Sequence, residues 1–127
     1  MSIIDLFRQR DDVEEYAAGT VMFSAGELAD FMYVILSGEV QLTLKDEVLG
    51  KETAGSIIGV MAINQSATRS ATATALSHVK VARLSRDQLN ELITNKPEFS
   101  LQLMSVLANR LRQADQYIIT KFEHQND

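Results

Sequence analysis

Cysteine is absent from the 127 residues, proline occurs once and histidine twice. Each scarcity closes off a class of chemistry. With no cysteine there is neither a disulfide framework nor a thiolate metal site, which suits a reducing compartment. His78 and His124 stand far apart, in no HxH or HExxH spacing. They cannot supply the several imidazoles that an enzymatic metal-binding barrel converges on one ion, so no metal site and no cofactor are expected. No Gly-x-Ser-x-Gly elbow, phosphate loop or dinucleotide fingerprint is present, and the neighbouring carboxylates Asp11-Asp12 and Glu14-Glu15 read as solvated surface. The expectation is a binding or regulatory module, not an enzyme. Basic residues are outnumbered, 12 against 17 acidic, for a net charge of -5. That balance opposes binding to a phosphate backbone. No apolar run approaches the roughly 20 residues of a membrane helix. Residues 1–8 also lack the apolar core of a signal peptide. A cytoplasmic chain without a membrane partner is expected.

What is present has the texture of one folded domain over 1–127. Hydrophobic residues at 46% and charged residues at 23% are ordinary for a globular protein, and no repeat or linker divides the chain. Ile3, Ile4, Leu6 and Phe7 share a helical face, so the chain is expected to open with a short amphipathic helix. All six glycines (Gly19, Gly26, Gly38, Gly50, Gly55 and Gly59) fall between residues 19 and 59. They punctuate short apolar runs: Val21-Met22-Phe23, residues 31–36 and 40–44, Val48-Leu49 and Ile57-Ile58. Two more strand candidates follow at 71–76 and 79–84. Short strands separated by turn signals predict an antiparallel sandwich or barrel from about residue 16 to residue 85. Ser85 can then N-cap a helix, and Pro97 is placed for the first turn of a second, so helices are predicted over about 86–122. In the second helix Met104, Leu107, Leu111, Ala114 and Ile118 recur at spacings of 3, 4, 3 and 4. This seam packs either on the barrel of its own chain or against its twin across a two-fold axis.

The chemically suggestive stretch is GSIIGVMAINQSATRSATATAL, residues 55–76. A helical turn after Gly59, over residues 60–63, would present backbone N–H groups to an anion. Arg69 would add a fixed two-pronged cation and Ser70 a hydroxyl. The small residues from Ala71 to Ala75 would leave room for a flat ligand. On these residues alone an arginine at a strand edge is more often a surface side chain.

In order along the chain, Phe23-Ser24-Ala25-Gly26-Glu27, the run from Phe31 to Val40, Gly55-Ser56-Ile57-Ile58-Gly59, Arg69-Ser70-Ala71-Thr72-Ala73, Val81 to Arg86, and Pro97-Glu98 ahead of Leu107-Ala108-Asn109-Arg110-Leu111 resemble the cyclic nucleotide-binding domain of the catabolite-activator and protein-kinase-regulatory-subunit superfamily. The resemblance implies a mainly β fold: an eight-stranded β-roll (double-stranded β-helix, or jelly roll) with an N-terminal helix and two C-terminal helices. It implies that Gly59, Met61, Ala62, Arg69, Ser70 and Ala71 line a phosphate cassette, with Arg69 paired to the cyclic phosphate. It also implies a homodimer through the last helix, by Met104, Leu107, Leu111, Ala114 and Ile118. Cyclic AMP or another cyclic nucleotide is the candidate ligand.

Two departures from the family pattern stand out. Val60 occupies the place of the glutamate that accepts the ribose 2′-hydroxyl, and Ala114-Asp115 the place of a Thr-Ser pair that reads adenine. The first removes a hydrogen bond contributing roughly 1.5–3 kcal/mol, one to two decades of affinity. Asp115 retains an acceptor for an exocyclic amine. The chain ends at Asp127 without the helix-turn-helix of bacterial activators, so direct nucleic-acid binding is not expected. The output would pass through an unidentified protein partner, or the chain is a piece of a longer one. Two functions remain in view: a ligand sensor that signals through its C-terminal helices, and a degenerate domain serving as a dimerisation or docking scaffold.

Overall fold

The computed structural model describes Phe7, residues 13–59, Ala62 and residues 67–125, with side chains of the last helix described as far as Arg112. Its eight strands form two four-stranded antiparallel sheets. They are β1 (Val13–Tyr16), β2 (Val21–Phe23), β3 (Phe31–Ser37), β4 (Val40–Leu44), β5 (Glu47–Glu52), β6 (Ile57–Ile58), β7 (Thr72–Ala75) and β8 (Val79–Ser85). One sheet runs β1-β8-β3-β6 and the other β2-β7-β4-β5. Two helices follow, α1 (Arg86–Asn95) and α2 (Pro97–Gln125).

The run Met32-Tyr33-Val34-Ile35 does not alternate apolar with polar, because the first sheet is covered on both faces. Met32, Val34, Ile57, Ala82 and Leu84 pack under the helices with Phe7, Leu89, Phe99 and Leu103. Tyr33, Ile35, Ile58, Val79 and Val81 point the other way, into the space between the sheets, and meet Phe23, Val40, Ala73 and Ala75. The period of two thus survives as an alternation between two cores.

Ser85 caps α1 as expected, in a capping box: its side chain accepts from the Gln88 N–H while the Gln88 side chain accepts from the Ser85 N–H. Such a cap contributes about 1 kcal/mol. Pro97 opens α2, where its missing N–H has no intrahelical partner to lose. The expected N-terminal helix lies outside the described residues except for Phe7, which is helical, buried and set edge-on to Phe99 at 6.0 Å.

The roll begins earlier than expected. β1 pairs with β8, placing Val13 opposite Ala82. Glu14 is therefore not free surface: it accepts from the Tyr16 hydroxyl at 2.7 Å and pairs with Arg83 at 3.0 Å, and Arg83 lies over the Phe31 ring. The acidic pair masked the strand because two adjacent carboxylates read as solvent, yet they lie on opposite faces: Glu14 opposite Val81 on the inter-sheet side, Glu15 opposite Lys80 on the exposed side. Glu15 does remain exposed, near His78 and Lys80.

Helix α2 carries two stripes. Phe99, Leu103 and Val106 pack into the core beneath the first sheet. Met104, Leu107 and Leu111 are exposed, as is Leu101. At 100° per residue the two stripes lie roughly 100° apart around the helix. The heptad seam is therefore not the stripe that packs on its own roll. Ala114 and Ile118 continue the seam in sequence, but their side chains lie outside the described residues.

Candidate functional site

Period two also explains the most unusual side chain. Counting from Arg69, the positions Arg69, Ala71, Ala73 and Ala75 are buried, whereas Ser70 and Leu76 are exposed and Thr72 and Thr74 are partly so. Arg69 shares the inward face of the segment that becomes β7. Its backbone is clamped from both sides, its N–H donating to Glu27 C=O at 2.7 Å and its C=O accepting from Gly26 N–H at 2.9 Å. The Leu28–Thr68 bridge lies just before it. The clamp leaves the side chain only the interior, so the surface reading of this arginine is wrong.

Arg69 is 6% exposed, and among the described residues it is the one buried charged side chain. Its guanidinium carbon sits 4.2 Å from the centroid of Phe23 and 5.6 Å from that of Tyr33. Those two rings are themselves stacked, 15° from parallel. Nη1 donates to Gly59 C=O at 3.3 Å, and Nε has no partner. Among the described residues no carboxylate lies within ion-pair distance. Burial draws the guanidinium below its ordinary pKa, while Tyr33, by charge and by hydrogen bonding, and Asp30 and Glu27, by charge, oppose the shift. The result is a cation on an aromatic floor with unused hydrogen-bonding capacity, as anion recognition requires.

Gly59 is the other half of the arrangement. Its φ is +73°, and a Cβ built there would lie 2.5 Å from Arg69 Nη1 and 3.3 Å from Phe31 C=O. Its carbonyl also accepts from Ala62 N–H at 3.1 Å. Gly59, Ala62 and Arg69 are thus brought together. Ala62 and Ala71 are buried, and the Ser70 side chain is exposed. Val60 and Met61 lie outside the described residues, as do the side chains of Ala114 and Asp115. Phe23 and Tyr33 both fall in expected strands, at 21–23 and 31–36, but their place against Arg69 was not among the expectations. The inward alternation from Arg69 to Ala75 was the available signal.

A second polar cluster sits behind the site. Arg110 of α2 donates through Nη2 to the Ile57 carbonyl and, at 3.4 Å, to Ser56 Oγ. Its Nε lies 3.8 Å from Glu52 Oε1, near enough for charge attraction but not for a hydrogen bond, and Ser56 Oγ donates to Glu52 Oε2 at 2.5 Å. Burial lowers the Arg110 pKa, with Glu52 opposing. Among the described residues there is no group of three or more potential ligands that could hold a metal ion. No helix there is long and apolar enough to cross a membrane.

An antiparallel β-roll with C-terminal helices, holding a glycine and a buried arginine in one place, defines a class of small-ligand regulatory domain. The sequence model of the cyclic nucleotide-binding domain matches residues 13–96, and the chain belongs to that family. It is 30% identical over 119 residues to a CRP-like cAMP-activated global transcriptional regulator of Mycobacterium tuberculosis, covering 90% of this chain and 53% of that one. The catabolite activator protein of Thermus thermophilus superposes with a TM-score of 0.73 at 29% identity, over 85% of this chain and 53% of that one. A cyclic nucleotide-binding domain from Methylobacillus flagellatus superposes at 0.72 with 28% identity, over 86% and 66% of the two chains. The chain spans about half the length of the regulator from Mycobacterium tuberculosis. The family is one of ligand-binding regulatory domains, not of catalysts.

Proposed function

We propose that this domain is a sensor that binds a cyclic nucleotide, or a related small phosphate, at Arg69 and Gly59 and signals through α1 and α2. The observation that carries the reading is the buried Arg69 guanidinium, without a carboxylate partner among the described residues and with Nε unused. An anion entering beside it supplies the missing counter-charge. The cAMP-activated relative and the two superposed structures support the ligand class. Val60 lowers affinity through the ribose contact without removing the phosphate contact. The exposed Met104, Leu107 and Leu111 stripe supports a homodimer through α2, and the net charge of -5 speaks against direct nucleic-acid contact by this domain.

A ligand that binds only the folded form stabilises it by RT ln(1 + [L]/Kd), so millimolar ligand over a micromolar site adds about 4 kcal/mol. The test is thermal unfolding with and without millimolar cyclic AMP and cyclic GMP. An upward shift that disappears in Arg69→Ala is the expected result. No shift with either nucleotide overturns the sensor and favours the second reading, a scaffold for dimerisation or docking, which Val60 already supports.

A further inference from the structure

We infer that Arg110 is the positioning residue that couples the ligand site to the distal half of α2; the inference rests on the sensor reading above. Three observations converge on it. First, the apolar anchoring of α2 lies early, at Phe99, Leu103 and Val106. Arg110 is the polar tie that follows, and its neighbours Leu107 and Leu111 are exposed. Second, the tie lands on the strand that leads into the site. β6 is the edge of its sheet, paired only with β3 through Tyr33–Ile58 and Val34–Ile57. The Ile57 carbonyl takes its hydrogen bond from Arg110, and two residues later the Gly59 carbonyl takes one from Arg69. Third, the contact is braced. Glu52, at the end of β5, holds both Ser56 Oγ and the Arg110 charge, so the β5–β6 turn and the helix share one ion pair.

A two-residue edge strand lies between the two arginines: Arg110 holds its Ile57 carbonyl, and Arg69, with Ala62 N–H, holds the Gly59 carbonyl just past its end. An anion that draws Arg69 off Gly59 C=O removes one of the two hydrogen bonds held there, leaving that of Ala62 N–H, and so loosens this end of the strand. The other end is held to the helix through Arg110 Nη2, whose planar guanidinium is directional in a way that a lysine ammonium is not. Ligand occupancy then biases the placement of α2 beyond Arg110, the segment carrying Ala114 and Ile118. For this to signal, the ligand must favour one arrangement over the other, and coupling of this kind typically spans about 5- to 150-fold.

Amide hydrogen exchange on the full chain, with and without saturating cyclic AMP, tests the coupling. In the wild type, ligand is expected to protect residues 59–71 and to change exchange of α2 beyond Arg110 by at least about fivefold. In Arg110→Gln the protection at 59–71 should persist while the change in α2 falls below about twofold. Glu52→Gln keeps the Arg110 hydrogen bonds and serves as the milder variant, with an intermediate response. Unchanged exchange in β3 and β8 reports that both variants are folded. A full α2 response in both variants overturns the inference and leaves the sensor reading standing. So does protection at 59–71 in the wild type with no α2 response. No protection at 59–71 in the wild type overturns both.

Discussion

Replacing Arg69 by methionine should make the ligand-free protein more stable. The guanidinium contributes a cation–π contact with Phe23 at 4.2 Å, worth about 0.5–2 kcal/mol. It also makes one long hydrogen bond, at 3.3 Å to Gly59 C=O, worth about 1.5 kcal/mol, the low end for a charged donor. Against these stand several kcal/mol, by order of magnitude, for holding a charge out of water. The unpartnered Nε leaves part of that cost uncompensated. Methionine keeps an unbranched apolar stem against Phe23 and Tyr33 and removes the penalty. The expected gain is about 1–2 kcal/mol, or about 4–8 °C in Tm for a domain of this size. Urea and thermal unfolding of wild type and Arg69→Met, each with and without millimolar cyclic AMP, measure it. The order should reverse with ligand, because only the wild type is stabilised by binding. If Arg69→Met is destabilised by 1 kcal/mol or more without ligand, on this scale, the arginine is a structural tie and the argument for a poised anion site fails.

Two further outcomes follow from the geometry. Gly38→Ala should lower stability by about 2–4 kcal/mol, since its φ is +93° and a Cβ would meet His78 C=O at 2.3 Å and Val79 Cα at 2.9 Å. Gly26→Ala has nearly the same φ, +92°, but open space around the new Cβ, so it should lose only about 1 kcal/mol; equal losses in urea unfolding would refute the packing argument. On alkaline titration, burial pushes the Tyr16 and Tyr33 phenols up from 10.0, with the Glu14 hydrogen bond adding to the effect at Tyr16. The unfolded chain releases these protons first, so their contribution is complete below pH 10 and is lost above it. The slope is at most about 1.4 kcal/mol per pH unit for each group. Denaturation at pH 8–11 should show a shallower fall in Tyr16→Phe, and an identical profile would contradict the assignment.

Much of the fold was legible because its signals are local. Glycines between 19 and 59, β-branched runs and the Ser85–Gln88 box act over a few residues, and the strands at Val21–Phe23, Val40–Leu44 and Ile57–Ile58 lie where the sequence places them. β1 was not legible, because Glu14 and Glu15 read as solvent and only pairing with β8 makes the segment a strand. In the site, the family resemblance points to Arg69 in the cassette, while the residues alone favour a surface arginine; the inward alternation through Ala75 is the signal for its burial. Arg110 stood in a motif that carries the family resemblance, but its role had no signal, since its partners Glu52, Ser56 and Ile57 are more than 50 residues away in sequence.

The amino-acid sequence by itself determined the kind and order of the elements, the turn positions, the helix start at Ser85 and the family to which the chain belongs. These depend on backbone sterics, periodicity and motif spacing, all carried by neighbouring residues. Only the tertiary structure decided which face each periodic segment turns inward. It buried Phe99, Leu103 and Val106 and left Met104, Leu107 and Leu111 exposed, though both sets have helical spacing. It also set Arg69 against Phe23, a contact across 46 residues of chain. Burial is a property of what closes over a surface, and what closes over it here is packing between segments far apart in the chain.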